Sequence, residues 1–330
     1  MMQDMAKIEL HVHLDGSLRP ETVLELAAER KLALPSYDLT DLTNYLKAPV
    51  NCVSLEDYLQ RFRLPLDILQ DEESLERCAY ELGEDLARER VVYAEIRYAP
   101  LLHIKRNLKP KKVVAAVLRG LEQARKDYGL HFGVLLCCMR SEEAAVNKDV
   151  VRLAGDFYGG GVVGLDLAGD ESHFPVWQQK EVFSFAQGAS LPYTIHAGEA
   201  AGADSIWAAV KLGASRIGHG VRAYEDRELV ELLSKEAIAL EMCLTSNLQT
   251  KAVAKLTEHP LDRYYRAGLK VTVNTDNRTV SGTNLSKEYD LIQEAFHWES
   301  PDFAAVNKNA LEASFADFDT KEKLRQIIEN

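Results

Sequence analysis

Five short stretches of this chain combine side chains that can ligate a metal or move a proton: His11-Val12-His13, Asp166-Leu167-Ala168-Gly169-Asp170-Glu171, His196-Ala197-Gly198-Glu199, His219-Gly220 and Thr275-Asp276. Side chains alternate across a strand, so two histidines two residues apart project together and begin a metal site. With His196 and Asp276 they offer three nitrogens and one oxygen and leave a position for water. That donor set suits zinc, with iron and cobalt accepting the same ligands, and does not suit calcium or magnesium. An open position on zinc brings the pKa of water down to about 7. Hydrolytic removal of an amino group from an aromatic carbon needs two more groups, one to orient or deprotonate the water and one to protonate the ring nitrogen. His219 fits the first role and Glu199 the second. Glu199 must then carry a proton, which requires an enclosed site that raises its pKa.

All five stretches fall where an apolar, β-branched run ends. Eight such runs occur, at 8–13, 91–98, 132–139, 162–167, 191–196, 216–219, 237–243 and 270–275. Several are nearly continuous hydrophobic runs, as in parallel strands covered on both sides. Amphipathic stretches at 20–30, 110–128, 142–157, 203–212 and 227–235 lie between them. The alternation predicts an α/β fold, a (β/α)8 TIM barrel spanning 1–330 as one domain, whose C-terminal strand ends form the active-site face. A doubly wound sheet would carry a Gly-rich phosphate loop after its first strand. Here Leu14-Asp15-Gly16-Ser17 follows instead, and Gly159-Gly160-Gly161 precedes a strand, as a turn does. Residues 14–90 are too long for one crossover and insert extra helices over the barrel mouth. Within 55–69, Leu55, Tyr58, Leu59, Phe62 and Leu66 follow a helical spacing. Core packing is the plain reading of that stripe, and an apolar lid over a ligand is the alternative. Beyond residue 285, terminal helices pack on the outside.

The chain is 46% hydrophobic, enough for a sizeable core, and carries a net charge of −12. A nucleic-acid partner needs a cationic face to displace counterions, so none is expected. The cluster Lys105, Arg106, Lys109, Lys111 and Lys112 reads as a solvated loop and helix start. Cysteines at 52, 78, 137, 138 and 243 form no C-x-x-C pair, which excludes a thiolate zinc site and a disulfide framework. Cys137 and Cys138 read as small core residues. From Met1 through Gln3-Asp4 there is no basic segment leading into an apolar one, and no run of 18 apolar residues follows. A cytoplasmic protein without a membrane partner is expected.

Taken together, residues 11–18 (His11-Val12-His13-Leu14-Asp15-Gly16-Ser17-Leu18), 166–171, 196–199, Gly218-His219-Gly220 and Asn274-Thr275-Asp276 resemble the adenosine deaminases of the amidohydrolase superfamily. The motifs stand in the family's order and span residues 8 to 282. The resemblance implies one zinc ion per chain, held by His11, His13, His196 and Asp276. It implies Glu199 as proton donor to purine N1, and His219 with Asp276 as the groups that position the hydroxide attacking C6. The products are then inosine and ammonia, within purine salvage. It further implies that Gly169 offers its N–H to purine N3, that Asp15 accepts a ribose hydroxyl, and that Tyr58 and Phe62 line the apolar side of the pocket. A carboxylate at the sugar end repels a 5′-phosphate, and base-only relatives commonly carry glutamate at the place of Asp15. A purine nucleoside, adenosine or 2′-deoxyadenosine, is therefore the expected small-molecule partner, with adenine or another 6-substituted purine as the alternative.

One position departs from the pattern. Many relatives carry a second aspartate after the metal-binding one, in contact with purine N7; here it is Asn277, followed by Arg278. A neutral amide can present its N–H to an unprotonated N7, so the change bears on base recognition and not on hydrolysis. The zinc deaminases of flipped bases use H-x-E with P-C-x-x-C, and neither motif occurs. A barrel that held metal and nucleoside without turnover would have no need of Glu199.

Overall fold

A computed structural model describes residues 5–329. Eight strands run in parallel: β1 (Lys7–His13), β2 (Val91–Tyr98), β3 (His131–Met139), β4 (Val162–Ala168), β5 (Thr194–Ala197), β6 (Arg216–His219), β7 (Ala239–Met242) and β8 (Val271–Val273). They pair in sequence order within two runs of four, β1 to β4 and β5 to β8. Single bridges close the two seams, Leu165 to Tyr193 between the runs on one side and Val12 to Asp276 on the other. At the second seam the His13 N–H donates to the Asp276 carbonyl and the Asp276 N–H to the His11 carbonyl, both at 2.8 Å. The closure of the barrel therefore passes through three of the expected metal ligands.

The strands alternate more sharply than their apolar runs suggest. On β1, Ile8 and Leu10 pack outward against Ala310, Leu311 and Leu324 of the terminal helices. Glu9, His11 and His13 take the other face, and with Glu95, Arg97, Asp166, His196, Arg216 and Glu241 they fill the barrel with buried polar side chains. Such charges survive burial only when paired. Arg216 joins Glu95 and Glu241. Arg97 reaches Glu241 at 2.9 Å and Asp166 at 3.4 Å.

The expected helices are present, Pro110–Tyr128 and Arg227–Lys235 with the anticipated bounds and the others within two residues at their caps. The stretch 55–69 is corrected: it forms a helix Leu55–Leu59, a tight turn Gln60–Phe62 and a second helix Arg63–Ile68. Pro65 has no N–H to give the Arg61 carbonyl, so it is accommodated in the first turn of a helix, and the second helix starts two residues before it. The helix Ser300–Ala313 docks by Asn307, whose Oδ1 accepts the Ile8 N–H at 2.9 Å. All five cysteines are buried and unpaired. Among the described residues no helix is long and apolar enough to cross a membrane.

Candidate active site and metal centre

The donor atoms of His11, His13, His196 and Asp276 all lie within 4.8 Å of one another. His11 Nε2 and His13 Nε2 each stand 3.4 Å from Asp276 Oδ1, and His13 Nε2 faces His196 Nε2 at 3.3 Å. Carboxylates fix two of the rings from behind. Glu241 takes His11 Nδ1 at 2.8 Å and Asp166 takes His196 Nδ1 at 3.0 Å, with the Arg97 guanidinium between them. A carboxylate accepts only from N–H, so in both rings the Nε2 lone pair points to the centre.

That arrangement asks for a cation. His11 Nε2 is buried with no hydrogen-bond partner. Burial keeps His13 and His196 below the ordinary imidazole range, in the neutral form that ligates. At His11, burial and Arg97 act in the same direction, yet the nearby carboxylates of Asp276 and Glu241 outweigh them and pull its pKa up. Burial opposes ionisation of Asp276, but His11, His13 and His219 hold it well below the carboxylate range. The residues present fit a divalent metal ion with an N3O donor set.

Beside this centre, His219 Nε2 lies 3.5 Å from Glu199 Oε2. Burial, then the charges of Asp276 and Glu171, push the Glu199 carboxyl up to about 8. Its Oε1 accepts from the Thr250 hydroxyl at 3.0 Å. Burial also keeps His219 neutral, well below the imidazole range. A chain of hydrogen bonds selects its tautomer. The Leu261 N–H donates to His259 Nδ1, His259 Nε2 donates to Asn247 Oδ1, and Asn247 Nδ2 donates to His219 Nδ1 at 3.0 Å. The proton of neutral His219 is thereby assigned to Nε2, toward Glu199 and the cavity. Both His219 and Asp276 have φ near +60° (63° and 61°), a conformation that costs a side-chain-bearing residue roughly 1–3 kcal/mol. The bend lets residues just beyond two strand ends aim at one point.

A cavity of about 350 Å³ opens over these groups, with His13, Asp15, His196, Glu199, His219, Asp276 and Asn277 on its polar wall. Leu55, Tyr58, Leu59, Phe62 and Leu66 form the apolar wall, and Leu55, Tyr58, Leu59 and Phe62 at the same time pack with Cys52 and Val280, so the stripe both packs and lines the cavity. Cys137 is buried in a small apolar cluster with Ala99 and Ala168 and also lines the cavity, while Cys138 is in the main core. His11 lies beneath the ligands and is fully buried. Gly169 lines the cavity at φ +105°, where any side chain would be strained. Asp15 Oδ1 is buried with no hydrogen-bond partner, and burial, with the Asp276 charge adding, moves its pKa to about 7. Asn277 Oδ1 is also buried and unpartnered. It sits where a Cβ on Gly16 would fall, 1.9 Å away, so Gly16 and Asn277 belong together. The Tyr58 hydroxyl pairs with Ser281 Oγ at 2.7 Å.

Sequence reasoning missed Arg97 and Glu241, which hold the ligands, and Asn247 and His259, which orient His219. The first two were available from the period of two: Glu95 and Arg97 repeat on β2 the spacing of His11 and His13 on β1.

A family model described as adenosine deaminase matches residues 6–330. An adenosine deaminase of Clostridium perfringens is 42% identical over 326 residues, 98% of either chain. Two solved structures share the fold along the whole length. The adenine deaminase from Arthrobacter aurescens aligns with a TM-score of 0.91 at 26% identity over 98% of both chains. An Arabidopsis N6-mAMP deaminase aligns with a TM-score of 0.89 at 29% identity, over 99% of this chain and 98% of its own.

Proposed function

The chain belongs to the adenosine deaminase family, and on that footing we propose that its cavity takes adenosine or 2′-deoxyadenosine and replaces the 6-amino group with water, releasing ammonia and inosine or deoxyinosine. The observation that carries this reading is the pair Glu199 Oε2 and His219 Nε2, 3.5 Å apart beside a four-donor centre within one cavity. His11, His13, His196 and Asp276 would hold one zinc ion, which when bound makes water acidic enough to supply a nucleophile at neutral pH.

The other steps belong to the chain. Glu199, with its carboxyl at about 8, holds a proton at neutral pH and gives it to purine N1, so the electron pair displaced from the ring ends in an N–H bond. His219 directs its Nε2 proton to the attacking oxygen, and ionised Asp276 accepts a hydrogen bond from it; together they set the approach to C6. The lid residues cover the base and exclude competing water. One water is consumed for each ammonia released. Barrel, insertion and terminal helices act as one domain in this reading.

At the sugar end, the unpartnered Asp15 carboxyl favours a hydroxyl donor. Among the described residues that line the cavity there is no lysine or arginine to pair with a 5′-phosphate. The nucleoside therefore fits better than the monophosphate. The Arthrobacter relative, named for adenine, keeps the free base as the alternative substrate. A panel of adenosine, 2′-deoxyadenosine, adenine, N6-methyladenosine and AMP, run on protein of known metal content, tests the reading. The two nucleosides should show the highest kcat/KM. Fully metallated protein that leaves adenosine unchanged, or that prefers adenine or AMP, would overturn it.

A further inference from the structure

Glu171 lies in the loop that follows β4, is almost fully buried, and contributes nothing to the metal centre. Its carboxylate holds the neighbouring loop. Oε2 accepts the N–H groups of Glu199 at 2.9 Å, Ala200 at 2.7 Å and Ala201 at 3.1 Å. Oε1 accepts the N–H of Gly198 at 2.7 Å and the Ser205 hydroxyl at 2.5 Å. Four consecutive amides thus converge on one anion, across a stretch that belongs to neither helix nor strand. The holding loop is itself braced. Asp170 Oδ1 takes the Ser172 N–H at 2.9 Å, Asp170 Oδ2 pairs with His173 at 2.7 Å, and Arg140 donates to the carbonyls of both Phe174 and His196.

We propose that Glu171 is a positioning residue for proton transfer, setting the separation between the Gly169 backbone and the Glu199 carboxyl on the two sides of the bound base. The inference rests on the reading of Glu199 as the proton donor. Gly169 and Glu171 are two residues apart in one braced loop, so the backbone that lines the cavity and the anion that holds the acid-bearing loop move as a unit. N1 and N3 flank a single purine carbon, and a base gripped at both has little freedom to rotate. Without the carboxylate, four amides lose their acceptor and the Glu199 loop relaxes. Displacement by an ångström harms a reaction that needs an aligned proton far more than it harms apolar binding of the ring.

The test uses metal-loaded full-length protein with Glu171→Gln, Ser205→Ala and Glu199→Gln in parallel. Glutamine keeps the size but offers one acceptor oxygen and turns an NH2 toward amide donors. For Glu171→Gln, kcat on adenosine should fall by about 10- to 100-fold while KM stays within about threefold. The inhibition constant of 1-deazaadenosine, which has no N1 for Glu199 to serve, should not change, nor should the metal content. Ser205→Ala, which removes one of the five bonds, should lower kcat by roughly two- to fivefold in the same pattern. Wild-type kcat in Glu171→Gln overturns the inference, and so does a parallel loss of metal and of 1-deazaadenosine binding, which marks a purely structural role. If Glu171→Gln does not fold, Ser205→Ala decides, and unchanged kcat counts against the proposal. Retained turnover in Glu199→Gln would instead refute the role of Glu199 itself.

Discussion

A glutamate in water is ionised at neutral pH and has no proton to give. At Glu199, burial and two neighbouring carboxylates reverse that, and the acid holds its proton up to about pH 8. Its pKa is raised, so the donor form is present below that value and lost above it. The kcat/KM of adenosine deamination should therefore decline as pH rises through about 8, and Glu199→Gln should cost about 10²- to 10⁴-fold in kcat while the metal stays bound. A second expectation concerns His219. Asn247→Asp places a carboxylate at Nδ1, which demands an N–H there and moves the imidazole proton away from the cavity. Turnover should drop by roughly 10- to 100-fold with metal content intact, and nitrogen NMR of the ring should show the opposite tautomer. An unchanged tautomer would refute the relay. The residues proposed to act on the substrate were legible because each stands at or just past the end of an apolar run, on the same rim. Asn247 and His259 were not, because they act through another ring from a short helix and a loop with no repeating pattern.

Among the elements, periodicity located all eight strands, and proline explains the shifted start of the fifth. The run 191–196 pairs regularly only from Thr194, since Pro192 has no N–H to add to a ladder. Pro65 falls in the first turn of the helix Arg63–Ile68, where its missing N–H breaks no bond of that helix. Hydrophobicity could not show that the barrel interior is ionic, because outward-facing Ile, Leu and Val dominate the windows while charged residues alternate with them on only some strands, as Glu9 does on β1, Glu95 and Arg97 on β2 and Glu241 on β7. The chain Glu95–Arg216–Glu241–Arg97–Asp166 ends on two ligand histidines, which ties the frame of the barrel to the centre it carries. Arg97→Met leaves Glu241 and Asp166 without their shared cation. It should lower unfolding stability by about 3–5 kcal/mol in urea titrations. Metal retention against a chelator should weaken by roughly 10- to 100-fold. A variant as stable as the parent would show that the network does not support the frame.

For the molecule as a whole, two buried histidines outside the metal centre contribute to its sensitivity to acid. Burial lowers His103 to about 4 and His259 to about 3. Unfolded, each titrates near 6.5. Above that pH neither state binds the proton and the full stability is present. As pH falls below it, the unfolded chain takes up protons that the folded chain refuses, until the folded values are reached. Between pH 6 and 5 the pair should remove roughly 2 kcal/mol of stability. Denaturant midpoints measured across that interval check this, and His103→Gln should halve their contribution to the slope.

The two seams of the sheet carry a consequence for how the molecule matures. His11 and His13 come from the first half of the strand order, His196 and Asp276 from the second, and only one bridge spans each join. An ion can therefore be captured only by a chain whose halves have already met, and once captured it acts as a rivet across the join. Stripping the ion should speed amide exchange at His13 and Asp276 well before it affects the middle of β2 or β3. Occupancy would then report on assembly as well as on readiness for catalysis, so a cell short of the metal would accumulate barrels that are loosely shut and easily degraded.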